Sequence, residues 1–108
     1  MNSEEFVKAC FEEKQSQLNL YFNSTQKTYV SSLISQLDLD ERRKAVLFKI
    51  LDSAITDAYY TMLLGIDGES SIGDTQIMYK LFDDENNELT GSGDIEAYAY
   101  EYFHSARS

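Results

Sequence analysis

The residue types that carry acid–base, nucleophilic or metal chemistry are few in this chain, and nearly all are carboxylates. One histidine, His104, and one cysteine, Cys10, stand among 19 Asp and Glu residues. His104 lies near the C-terminus on the polar side of a helical pattern, where an imidazole is ordinarily solvated rather than poised as a general base. Cys10 falls inside an apolar stripe, where a free thiol behaves as a small hydrophobe. Lys8 and Lys14 sit on neighbouring turns, but no base adjoins it in sequence. The GxSxG elbow, the HExxH zinc motif, the P-loop and the GxGxxG turn are all missing. Asp83, Glu85 and Asn87 have the first, third and fifth spacing of a calcium loop, with Asp94 at the twelfth place. Glu88 then stands where the sharp turn requires glycine, and the closing residue is an aspartate rather than a bidentate glutamate. These residues read more simply as a charged turn. No enzyme, cofactor or metal is expected.

The chemistry that the carboxylates do favour is recognition of a cation. The formal charge is −10, and it is unevenly spread. Residues 1–66 hold nine acids and seven bases, whereas residues 67–108 hold ten acids and two bases, Lys80 and Arg107. Such a field repels nucleic-acid phosphates and anionic membranes. It attracts cationic proteins and speeds their encounter. The expected contact residues are Asp83, Asp84, Glu85 and Glu88 on a loop, with Glu96, Tyr100 and Glu101 on the last helix. Tyrosine is a rigid amphipathic anchor, and carboxylates beside it engage lysine or arginine. A place for Tyr100 in the core, packed on a hairpin, is the competing reading.

The elements that must position these groups follow from apolar spacing. Ser3 to Phe22 reads as an amphipathic helix, with Asn2 and Glu5 in capping-box relation. Asn23-Ser24-Thr25 breaks it. Tyr29, Val30, Leu33, Ile34 and Leu37 form a second helical stripe. Asp38 and Glu41 suggest the start of a third helix that runs to about Ile66. On its wheel Lys49, Asp52, Ser53, Thr56 and Asp57 share a polar arc, opposite Leu47, Leu51, Ala54, Ala58 and Met62. Tyr60, Leu63 and Leu64 then take over the polar arc, so this end should be buried all round. Thr75 to Phe82 alternates as a strand, Asp83 to Asn87 turns, and Glu88-Leu89-Thr90 returns, which predicts a hairpin. Asp94 to His104 is a final helix with Asp94 as its N-cap. The expectation is one domain over residues 1–108, α+β in class, mostly helical with one hairpin.

The bulk properties bound the setting. A hydrophobic content of 43% fits a folded globule. The uncharged stretch from Ala58 to Ile66 is too short to cross a bilayer. The acidic start Met1-Asn2-Ser3-Glu4-Glu5 is unlike a secretory signal. One cysteine permits no intramolecular disulfide. A cytoplasmic protein is expected, in contact with neither nucleic acid nor membrane. The basic cluster Arg42-Arg43-Lys44 lies beside Asp40 and Glu41 and reads as locally paired.

Several stretches carry a resemblance: Leu63-Leu64-Gly65-Ile66-Asp67-Gly68, Ser71-Ile72-Gly73, Tyr79-Lys80-Leu81-Phe82-Asp83-Asp84, and Gly93 through Phe103. Over roughly its last 45 residues the chain resembles small acidic bacterial immunity proteins of contact-dependent growth inhibition systems. The resemblance implies a one-to-one inhibitor of a basic toxin, most naturally a nuclease with a phosphate-binding cleft. It implies no catalytic residues. Three rival readings make different demands. A nucleic-acid mimic needs carboxylates in a regular double row. A small metal-dependent hydrolase needs a carboxylate cluster in a concave pocket. A structural subunit needs an exposed apolar patch, expected near Tyr60, Leu63 and Leu64.

Overall fold

The computed structural model describes residues 1–23 and 25–104, so Ser24 and Arg107 lie outside the described residues. Among those described, the chain forms helices α1 (Ser3–Tyr21), α2 (Tyr29–Gln36), α3 (Glu41–Ile66) and α4 (Asp94–Phe103). Local chemistry fixes their starts. The Asn2 side chain accepts the Glu5 N–H at 2.8 Å and the Glu5 carboxylate accepts the Asn2 N–H at 3.1 Å, a closed capping box. Thr28 and Ser31 make the same reciprocal pair at the head of α2. At α3 the cap is Asp40, which accepts the Arg43 N–H at 2.8 Å. Asp38, the expected start, instead adopts φ 49° and turns the chain between α2 and α3. Aspartate tolerates that left-handed conformation better than most residues do.

α1 and α3 run antiparallel, since Phe22 meets Phe48 while Lys14 meets Thr56. α4 is antiparallel to α3: Tyr60 touches His104, and Asp67, just beyond α3, reaches Glu96. With 26 residues α3 spans about 39 Å, and α4 with 10 residues about 15 Å. The short helix therefore covers only the C-terminal half of the long one. Val7, Leu63, Leu89, Ile95, Ala99 and Phe103 form the core under that cover. Phe103 is held edge-on by Phe11 at 5.3 Å and stacked on Tyr59 at 6.0 Å. Leu63 is buried, with α4 supplying much of the cover, but this end of α3 is not buried all round as expected: Ala58, Thr61 and Met62 are exposed.

The expected α+β class and its hairpin are not found. No strand or sheet exists among the described residues; the structure is mostly helical. Where a hairpin was expected, two isolated bridges stand, Ile72 with Thr75 and Phe82 with Glu88. The ladder ends for a visible reason. Leu81 C=O accepts the Leu89 N–H at 2.8 Å, but the Leu81 N–H donates to the Thr90 hydroxyl at 3.0 Å instead of a backbone carbonyl. The alternation of Thr75 to Phe82 also finds little to cover: Leu81 packs against the core, but Ile77, Met78 and Phe82 are exposed. A lone two-stranded ribbon is marginal without a third strand or a packed face.

The wheel of α3 is partly turned over as well. Asp52 and Thr56 of the polar arc face inward, and Thr56 is buried. Ala54, Ala58 and Met62 of the apolar arc face out. The polar arc faces α1 because α1 brings a cation to meet it: Lys14 is buried and donates to Asp52 at 2.8 Å and Thr56 at 3.1 Å.

Candidate functional site

α4 begins at Gly93, whose φ of 81° suits glycine and whose missing side chain leaves the first turn without a local cap. Asp94, expected to be the N-cap, is the first helical residue. The cap comes from elsewhere. Asp67, at the C-cap of α3, is 3% exposed and accepts the Glu96 N–H through Oδ2 at 3.1 Å. One residue thus closes α3 with its backbone N–H and opens α4 with its carboxylate, whose charge complements the positive end of the α4 dipole. Its Oδ1 is buried without a hydrogen bond among the described residues. Burial pushes the Asp67 carboxyl above its ordinary range, the Glu96 N–H opposes this, and the charge of Glu69 adds to the rise.

The side chain of Glu96 takes no part in that cap; it meets Glu69 instead.

 In that pairing Glu96 is held above the usual carboxylate range, first by loss of solvent, then by the charge of Glu69, with which it shares a hydrogen bond. Two carboxyl groups in such contact repel unless a proton or another cation lies between them. Beside them runs an aromatic series: Tyr60 packs edge-on against His104 at 4.1 Å, and Tyr100 lies 5.8 Å from the same imidazole. Tyr100 is 58% exposed, so the competing core place under a hairpin does not apply. Its neighbour Glu101 is also exposed.

The loop residues form a separate group, near the start of α1. Asp83 accepts the Met1 ammonium at 2.9 Å, the Glu85 N–H at 3.0 Å, and both the backbone and side-chain N–H groups of Asn87. These donors hold its carboxyl far below the ordinary range, the Met1 ammonium foremost. Asp83 is therefore a turn-builder whose acceptor capacity is already in use. Asp84 and Glu85 are exposed on the same turn, and exposed Glu88 accepts a long 3.3 Å hydrogen bond from the Thr90 hydroxyl. Of the seven residues expected to bind a partner, Glu96, Tyr100 and Glu101 share α4, while Asp83, Asp84, Glu85 and Glu88 share the turn. The two groups stand on separate elements, α4 and the turn before it.

Three groups escaped the sequence reading. Glu69 and Asp67 lie between the expected third helix and the expected strand, and nothing local marks a contact that spans 29 positions. Lys14 did leave a signal: it stands between Phe11 and Leu18 at three- and four-residue spacing, in the apolar stripe of α1. Its ammonium lies 4.8 Å from the Phe11 ring centre and lines a cleft of about 350 Å³ with Asp52, Thr56 and Phe103. Cys10 is half-buried, and burial pushes its thiol up, away from the thiolate that a nucleophile requires. Among the described residues no three His, Cys, Asp or Glu side chains converge where a metal ion could sit. No helix among them is long and apolar enough to cross a membrane.

Comparison with protein-family models, with curated proteins and with solved structures finds no match to this chain.

Proposed function

We propose that this protein is a non-catalytic binding protein that captures a basic protein partner through the exposed side of α4 and the adjoining Glu69. The observation that carries the reading is the Glu69–Glu96 contact beside exposed Tyr100. Two carboxyl groups that repel each other gain most when a lysine or arginine arrives, and an aromatic anchor next to them supplies apolar contact at little entropic cost. The excess of acids in residues 67–108 steers such a partner in. The turn acids Asp84 and Glu85 add to this long-range field, whereas Asp83 serves the turn.

The resemblance to immunity proteins sharpens the proposal to a cytoplasmic inhibitor of a basic toxin, with a nuclease as the natural target class. The test is capture from a lysate, and from purified basic nucleases, by the parent chain and by the Glu69→Lys/Glu96→Lys double variant. Retention of one basic protein by the parent at low salt, its loss at high salt, and its loss from the double variant support the reading. Equal retention by both baits overturns it.

A further inference from the structure

We infer that a second copy of this chain docks on the outward face of α3, in an antiparallel arrangement with the two-fold axis beside Ile50. This goes beyond the proposed function and uses the solvent-facing side of α3, which borders the α4 side at Ser53, a residue that shares a cleft with Tyr102 and Phe103. The face is defined by Arg43, Val46, Ile50, Ser53 and Asp57, spaced by three and four residues in turn and all exposed. Val46 is 52% and Ile50 56% exposed, and both line a groove of about 560 Å³ with Leu37, Leu39 and Leu47. Leu33 and Leu37 are exposed as well, so the apolar patch extends from α2 onto α3. It is an exposed patch of the kind a structural subunit would show, at the end of the molecule away from Leu63, which is itself buried.

The occupant is identified by how the face complements itself. An isologous contact pairs residue i with j and j with i. About Ile50 the face is antisymmetric in charge and in size. Arg43 and Asp57 lie seven residues to either side, so an antiparallel copy sets each cation opposite the other chain's anion, twice over. Val46 and Ala54 lie four residues to either side, and Leu47 and Ser53 three, so each large apolar side chain meets a small one. Ala54 and Ser53 are exposed and let the backbones approach. Ile50 meets its own copy at the axis. A parallel copy would set Arg43 against Arg43 and Asp57 against Asp57, which charge disfavours.

Sedimentation of the full chain over a micromolar to millimolar series tests this. The expected result is a monomer–dimer equilibrium that Ile50→Glu, placing two carboxylates together at the axis, weakens by at least about tenfold. Circular dichroism checks that the helices are kept. Arg43→Glu and Asp57→Arg should each weaken the dimer, and the two together should restore it. A parent chain that stays monomeric throughout, a dimer indifferent to Ile50→Glu, or a double charge swap no better than its singles overturns the inference.

Discussion

Lys14 and Asp52 tie α1 to α3 through a 2.8 Å ion pair in which the ammonium is buried and the carboxylate side chain is 41% exposed. The asymmetry decides which partner is costly to lose. Removing Asp52 leaves a cation inside the protein with only the Thr56 hydroxyl and the faces of Phe11 and Phe103 for company. Solvent reaches the carboxylate and lowers what the pair is worth below that of a fully buried one. Asp52→Ala should therefore cost about 1–3 kcal/mol, and Lys14→Met, which fills the same space without a charge, should cost less. Urea unfolding of both variants checks the order; a larger loss for Lys14→Met contradicts it.

Asp67 and Asp83 should respond to pH with opposite sign. Asp67 is raised above 3.8 in the folded chain, by burial first. Between 3.8 and its folded value the native state holds a proton that the unfolded chain has released, so stability falls as pH rises through that window. Asp83 is lowered, so its contribution is present above 3.8 and is lost as pH falls toward its folded value. Asp67→Asn keeps an acceptor for the Glu96 N–H without the buried charge. It should match or exceed the parent in stability at neutral pH, and its advantage should shrink toward pH 4. Asp67→Ala removes the α4 cap and should cost about 1 kcal/mol. Denaturation curves across acid pH for the three proteins provide the check.

How far the sequence could be read depended on the range of the contact involved. The Asn2–Glu5 box needs three residues of chain and was legible. So was the inward face of α4, where Ile95, Ala99 and Phe103 are buried. Asp67 directly follows the expected end of α3, but its reach to Glu96 depends on how α3 and α4 pack. The alternation of Thr75 to Phe82 predicts a strand, but Leu81 packs against the core while Ile77, Met78 and Phe82 stay exposed, and period-two patterning specifies a strand only where a whole face is buried. The polar arc of α3 looked like a solvent face because the cation that meets it lies 38 residues away on α1. The expected acidic contact residues were chosen by charge alone, which cannot distinguish Asp83, consumed by its turn, from exposed Asp84 beside it.

Tyr60 and Tyr100 flank one imidazole but should separate cleanly under mutation. Tyr100 is 58% exposed, and Tyr100→Ala should change stability by about 0.5 kcal/mol or less. Tyr60 packs against the core and His104, so Tyr60→Ala should cost about 1–3 kcal/mol. If the α4 face binds a basic partner, Tyr100→Ala should still weaken that complex by at least about tenfold, as an interface anchor does. Paired unfolding and binding measurements distinguish the two roles. A Tyr100→Ala variant that binds as the parent does would remove this tyrosine from the interface.

Gly65 offers the sharpest test of packing, because two effects of one substitution have opposite signs. Within a helix, Gly→Ala ordinarily stabilises by about 1 kcal/mol through backbone entropy. Gly65 is a buried residue of α3, and a methyl group there would overlap Cγ1 and Cδ1 of Ile72. Cγ1 is next to the branch point of that side chain, and Ile72 is held by paired backbone hydrogen bonds with Thr75 at 3.0 and 3.1 Å. It cannot step aside by turning a distant end. Overpacking of this kind costs about 1–3 kcal/mol, which exceeds the gain, so Gly65→Ala should destabilise. In an Ile72→Ala background the obstacle is gone, and the same substitution should stabilise. The double-mutant cycle reads this coupling directly. Additive effects of the two changes would mean that the 68–75 loop does not hold Ile72 against α3.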